Sequence, residues 1–133
     1  MWRKAVVAMT ARECLELHAL YESTPKEVVA SNINRIFGYY DIERTTSRFN
    51  PGNKRTRVLC KITDTCRYTV LGWMNLSRQD VRIPLLKLCV IAETFGVNIT
   101  DLLSSDPSWY LDNEQLRKRL NTQVEHLTEE VNW

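Results

Sequence analysis

The chain lacks the features that several common protein classes require. Only four of its 133 residues are glycine and four are proline, so its composition is not that of a low-complexity segment. It has no apolar stretch long enough to span a membrane, and its N-terminal apolar run is too short for a signal peptide. We therefore expect a protein of the reducing cytoplasm.

Residues that carry catalytic or metal chemistry are also sparse. The four cysteines have no paired short spacing, which argues against a zinc site. The two histidines, His18 and His126, are far apart, and the sequence has no Gly-rich phosphate loop, nucleophile elbow or His-Glu-x-x-His motif. We expect no enzyme, no metal site and no cofactor.

The distribution of charge is the first positive signal. The net charge is only +2 and 44% of the residues are hydrophobic, which suits a single domain with a real core. Between residues 44 and 82, however, basic residues are opposed only by Asp64 and Asp80. Such a basic segment in a nearly neutral chain predicts a surface that faces phosphates. The basic residues of this segment are Arg44, Arg48, Lys54, Arg55, Arg57, Lys61, Arg67, Arg78 and Arg82.

Residues 55–75 predict two short helices joined by a tight turn. Val70 and Trp73 are three apart and share the inner face of the second helix. In the turn, Asp64 can adopt a left-handed backbone conformation, and Thr65 can cap the second helix. The inner positions of the first helix are Val58, Leu59 and Ile62, and the exposed positions of the second are Arg67, Tyr68, Leu71 and Gly72.

This segment resembles the helix-turn-helix of the phage-repressor-like proteins, the lambda repressor and Cro group also called the XRE family. The following run, Ile83 to Leu103, is similar to the family's closing pattern of a helix, Gly-Val and a final short helix. Thr56 stands where the family commonly has Gln, Cys60 where it has Ala, and Asp64 where it has Gly. The resemblance covers about residues 28–103 and implies an all-α, compact multi-helix, lambda-repressor-like domain.

Further helices extend this domain at both ends. Thr24 as N-cap, Pro25 and Glu27 predict a helix start with a capping box, and Gly96 predicts a left-handed helix end. The loop over residues 41–53 is either a solvated connector or an arm that touches the DNA backbone. The predicted units are an N-terminal helical extension (1–24), a helix-turn-helix DNA-binding domain (25–104) and a C-terminal helix (109–133).

The resemblance implies that the second helix of the motif enters the major groove of double-stranded DNA. The residues it implies as base contacts are Thr65, Cys66, Arg67, Tyr68 and Leu71. Those it implies as phosphate contacts are Arg55, Thr56, Arg57, Lys61, Asn75, Ser77 and Arg78. We accordingly predict a sequence-specific transcriptional regulator of phage or mobile-element type in a bacterial or phage-infected cell, a repressor acting as a dimer on a palindromic operator.

The C-terminal segment carries a narrow, coiled-coil-like seam with charged flanks, and Asp112 is predicted to cap it. We predict that the seam forms a homodimer, and the alternative is that the helix packs on its own domain. Competing dimer surfaces are the N-terminal helix around Leu17 and Leu20 and the short helix at Leu102 and Leu103. The residues of the seam are Leu116, Leu120, Val124, Leu127 and Val131.

Two other functional interpretations compete with this one. The first is an antitoxin-like or protein-interaction module that binds a partner protein through its terminal helices. The second is a helix-turn-helix that has lost DNA binding, but the retention of basic residues on the predicted face argues against it.

Overall fold

The computed structural model describes residues 9–38 and 53–130, and over these residues the fold is all-α, as predicted. None of the described helices has both the length and the apolar character needed to cross a membrane. Arg44, Arg48 and Val131 lie outside the described residues. The helices are α1 (Ala11–Ser23), α2 (Lys26–Ile36), α3 (Asn53–Thr63), α4 (Arg67–Met74), α5 (Leu85–Phe95), α6 (Ile99–Leu102), α7 (Ser108–Leu111) and α8 (Glu114–Glu130).

Helix α3 lies at the centre of the fold, because it packs against α4, α5 and α8. Helix α2 packs against α6 and α8 and closes the core on its other side. Leu59 and Leu88 are fully buried, and the rings of Phe37 and Phe95 meet edge to face with centroids 5.7 Å apart. Full burial of a leucine or phenylalanine stabilises a fold by about 1.5–3 kcal/mol. One hydrophobic core therefore holds the described helices together.

The turn between α3 and α4 has the predicted left-handed residue. Asp64 has a φ of 53°, and the N–H of Thr65 donates to the carbonyl of Cys60 at 3.1 Å. This bond closes the end of α3 in the manner of a Schellman motif, with Asp64 in the place usually taken by glycine. Val70 and Trp73 are buried beyond the turn, as their spacing predicted.

Helix α5 ends in the same way at Gly96, which confirms the predicted cap. Gly96 has φ 66° and ψ 33°, and the N–H of Val97 donates to the carbonyl of Ala92 at 3.0 Å. The Arg119 guanidinium on α8 donates to the carbonyls of Phe95 at 2.7 Å and Gly96 at 3.1 Å. A cation from α8 thus satisfies carbonyls that α5 leaves open.

Two predicted helix starts are wrong by one residue. Helix α2 begins at Lys26 with Pro25 as N-cap and no side-chain capping bond, because the Thr24 hydroxyl instead donates to the carbonyl of Leu20 at 2.6 Å. Helix α8 is capped by Asn113, whose Oδ1 accepts the N–H of Leu116 at 3.0 Å. The predicted cap of α8, Asp112, ends the additional short helix α7.

The seam of α8 lies in the chain's own core, which corrects its assignment as a dimer surface. Leu120 is 1% exposed and Val124 is 3% exposed, and Leu116 and Leu127 pack against the same core. The helix lies against α2, α3 and α7. A helix with a narrow apolar stripe can pack in a groove between two helices of its own chain or against a partner chain. Its sequence pattern is the same in both cases.

The apolar residues of the short helix α6 are also buried in the chain's own core. Leu102 and Leu103, the competing dimer residues, are 0% and 4% exposed. At the other end of the chain, α1 has no fully buried residue, although Leu17 and Tyr21 pack against the core. Helix α1 therefore keeps exposed apolar side chains that α6 and α8 do not.

Candidate nucleic-acid interface

The exposed side of α4 is the candidate contact surface. Val70, Gly72 and Trp73 are buried, and the exposed positions at the start of the helix lie between them. Tyr68 is 74% exposed, Leu71 is 42% exposed, and Cys66 and Arg67 are also exposed. We call Cys66, Arg67, Tyr68 and Leu71 the outer face of α4. Four of the five predicted base-contacting residues lie on it.

The fifth, Thr65, has a different role from the one predicted. The N-cap of α4 is Cys66, and the Thr65 hydroxyl donates to the carbonyl of Thr63 at 3.0 Å. Thr65 is half-buried and closes the turn, so its assignments as helix cap and base contact are corrected.

The Cys66 thiol lies 3.2 Å from the hydroxyl of Thr69 at the start of α4. Hydrogen bonding by Thr69 holds the pKa of the Cys66 thiol below its usual value. Burial has the opposite effect on Cys60 and Cys89, since it raises the pKa of both thiols. The exposed thiol on the outer face of α4 is therefore more readily ionised than either of these two.

Gly72 is buried, which corrects the expectation that its backbone is exposed. A Cβ added to it would lie 3.1 Å from Cγ1 of Val81. The absence of a side chain thus allows residues 75–83, which we call the post-α4 loop, to approach the helix closely.

The post-α4 loop brings three predicted phosphate-contacting residues beside the outer face of α4. Asn75 and Ser77 are exposed, and Oδ1 of Asn75 accepts the N–H of Ser77 at 3.1 Å and its hydroxyl at 2.7 Å. The Arg78 guanidinium lies 3.5 Å from the hydroxyl of Tyr68 and 3.8 Å from the carboxylate of Asp80. Basic, hydroxyl and amide groups therefore meet at one surface.

Lys26, which no local sequence pattern marks as functional, lies beneath this loop. Its side chain is buried, and its ammonium donates to the carbonyls of Gly72 at 2.8 Å, Asn75 at 2.8 Å and Arg78 at 2.6 Å. Burial lowers the pKa of Lys26 below its usual value. Each of these carbonyls also accepts one main-chain N–H, so the ammonium is a second donor to each, near the end of α4 where the helix carries partial negative charge.

The far end of the loop is also held from the N-terminal side. The Tyr21 hydroxyl donates to the carbonyl of Ile83 at 2.6 Å. The Arg82 guanidinium donates to the carbonyls of Tyr21 at 2.9 Å and Thr24 at 3.0 Å, and its carbon lies 4.6 Å from the centre of the Tyr21 ring. We call residues 21–26 the α1–α2 junction. Arg82 therefore belongs to an internal contact rather than to the basic surface.

The predicted phosphate contacts on α3 are only partly exposed. Thr56 is 1% exposed, because it shares the inner face of α3 with Leu59, so its assignment as a phosphate contact is corrected. Arg55 is half-buried and donates to the side-chain oxygen of Asn34, and Arg57 is also half-buried. Lys61 is exposed near the end of the helix.

The candidate surface thus consists of the outer face of α4, the exposed part of the post-α4 loop, and Lys61 near the end of α3. No family model matches the chain, and no curated protein or solved structure matches it either. Function is therefore inferred from these residues and their geometry.

Proposed function

We propose that the chain binds double-stranded DNA through the outer face of α4 and the post-α4 loop, as a sequence-specific transcriptional regulator. The observation that carries the proposal is the position of Arg78 beside Tyr68, on the exposed side of a helix whose opposite side is buried against α3. An α-helix such as α4 is about 10–12 Å in diameter with its side chains. The major groove, about 12 Å wide, admits an α-helix.

Each exposed side chain has a chemically suitable role in such a complex. Arg67 can donate two hydrogen bonds to N7 and O6 of guanine, which is the pairing that discriminates well between bases. Tyr68 and Leu71 supply apolar surface for thymine methyl groups or sugars. Ser77 and Arg78 supply hydroxyl and guanidinium donors for phosphates, which fix the orientation of a protein on the duplex.

The resemblance to phage-repressor-like proteins supports the same proposal and adds a dimer on a palindromic operator. Two copies would place their α4 helices about one helical turn, 34 Å, apart. The apolar residues of α6 and α8 pack in the chain's own core. We therefore propose that the dimer forms through α1, where Leu15 is 72% exposed and Leu20 is 39% exposed. Sedimentation of wild type and Leu15→Ser tests this: a dimer unaffected by the substitution would contradict it.

The competing protein-interaction hypothesis loses part of its support. It relied on the seam of α8 as a partner-binding surface, and Leu120 and Val124 in that seam are buried within the chain. The hypothesis that DNA binding has been lost is weakened by the exposure of Arg67 next to Tyr68. A DNA-binding regulator is the function that these observations favour.

The test is selection of bound duplexes from a random-sequence library, followed by fluorescence anisotropy with the enriched site. Arg67→Ala should weaken binding to that site by about 1–3 kcal/mol and leave binding to random duplex nearly unchanged. Lys118→Ala, which removes an exposed cation from α8, is the control and should bind as wild type. If no duplex is enriched, DNA binding is refuted; if Arg67→Ala keeps the wild-type ratio of affinities, Arg67 does not contact bases.

A further inference from the structure

We propose that Lys26 is a positioning residue for DNA binding, through which the α1–α2 junction fixes the post-α4 loop in the arrangement that contacts phosphates. The inference rests on the proposed function, because it concerns the same surface. Lys26 itself is buried, 5% exposed, and has no place in the contact with DNA.

The ammonium of Lys26 uses all three of its donors on main-chain carbonyls. These belong to Gly72 in the last turn of α4, to Asn75 at its C-cap and to Arg78 in the loop, at 2.8, 2.8 and 2.6 Å. One atom thus joins the end of the helix to two points of the loop that follows. Because the acceptors are main-chain atoms, the contact fixes the backbone from which the side chains of Ser77 and Arg78 project.

A buried ammonium is costly, and only well-formed hydrogen bonds offset the loss of its hydration. Three carbonyls near the negative end of the α4 dipole provide that compensation. An apolar side chain of the same length would fill the space without joining these three carbonyls. The placement of a cation here therefore points to control of the loop backbone rather than to packing alone.

The other contacts of the junction hold the same loop. Tyr21 donates to the carbonyl of Ile83, and Arg82 donates back to the carbonyls of Tyr21 and Thr24. The loop is therefore attached at both ends to residues 21–26, and Lys26 supplies the attachment nearest to Arg78. Loss of Lys26 should release the part of the loop that bears the phosphate contacts.

A double-mutant cycle separates positioning from simple destabilisation. Fluorescence anisotropy with a labelled random-sequence duplex is measured at a temperature where circular dichroism shows every variant folded. Lys26→Met should weaken binding several-fold and reduce the slope of log affinity against log salt by about one, as expected when a phosphate contact is lost. In the Lys26→Met background, Arg78→Ala should have little further effect, because that contact has already been lost.

Two controls complete the cycle. Lys61→Ala, on α3, should weaken binding by the same factor in both backgrounds. Arg119→Met removes a cation that caps α5 through the carbonyls of Phe95 and Gly96, and should destabilise the fold without changing the salt slope. If Lys26→Met does not fold, Lys26→Gln, which keeps an uncharged donor, replaces it in the cycle.

Additive effects of Lys26→Met and Arg78→Ala, with normal binding by wild type, would overturn the positioning role and leave the proposed function intact. An unchanged salt slope in folded Lys26→Met would do the same. Failure of the wild-type chain to bind any duplex would overturn the proposed function, and this inference with it.

Discussion

Replacing Leu120 with alanine should destabilise the whole domain, because α8 completes the core. Leu120 is 1% exposed in the core formed by α8 with α2 and α3. The substitution removes three carbon atoms, and at about 0.8 kcal/mol each their transfer accounts for about 2.4 kcal/mol. A residual cavity adds to this, so we expect a loss of about 3–4 kcal/mol, within the range of buried leucine-to-alanine changes.

The assay is urea unfolding of the full chain, followed by circular dichroism and tryptophan fluorescence. Leu86→Ala is the matched control, because Leu86 is 59% exposed on α5 and its truncation should change the unfolding free energy by less than about 0.5 kcal/mol. A truncation after Pro107 should fail to fold, since it removes Leu120 and Val124 together. Equal effects of Leu120→Ala and Leu86→Ala, or a folded truncation, would refute the docking of α8.

Contacts of the interface, of the end of α5 and of the start of α1 can each be tested separately. Lys61→Ala and Arg78→Ala should each reduce the salt slope of duplex binding by about one unit in anisotropy titrations, and unchanged slopes would remove both from the interface. Gly96→Ala should lower the unfolding free energy by more than about 1 kcal/mol in urea melts. The main cost is the φ of 66°, and the added Cβ would also push the Arg119 guanidinium away from the carbonyls that it caps. Hydrogen bonds from the backbone and side chain of Thr10 lower the pKa of Glu13 in the folded chain. The capping box should therefore stabilise α1 fully above the pKa of Glu13 in the unfolded chain, about 4.3. This stabilisation should be lost as the pH falls through the lower pKa of Glu13 in the folded chain. NMR titration checks this: Thr10→Ala should raise the pKa of Glu13, and no change would contradict the capping box.

The features that the sequence predicted are those decided by neighbouring residues. Val70 and Trp73 are buried because they recur at helical spacing, and Asp64 and Gly96 adopt left-handed conformations because each ends a helix in a tight turn. The exposure of the outer face of α4 follows from the same periodicity. Helix existence and orientation around the motif could therefore be predicted without knowledge of distant contacts.

The features that the sequence did not predict depend on residues far along the chain. The role of Lys26 depends on hydrogen bonds to carbonyls that are 46 to 52 residues away in the sequence. No local pattern marks a lysine that will be buried beneath another helix. Thr56 was assigned by its place in the motif, whereas its position three residues before Leu59 turns it inward. The sequence around Leu120 shows an apolar stripe but does not show what the stripe packs against. The pattern alone therefore could not decide between packing on a second chain and packing on α2 and α3 of the same chain.

Alkylation of the cysteines with and without DNA tests whether the outer face of α4 contacts the duplex. Cys66 is exposed at the start of α4, and hydrogen bonding by Thr69 lowers the pKa of its thiol, so the free protein should react there readily. Cys14, exposed on α1, is an internal control in the same molecule. If α4 enters the major groove, a saturating amount of the enriched duplex should slow alkylation of Cys66, measured by mass spectrometry, far more than alkylation of Cys14. Equal alkylation of Cys66 in free and DNA-bound protein would contradict the assignment of this face as the DNA-binding surface.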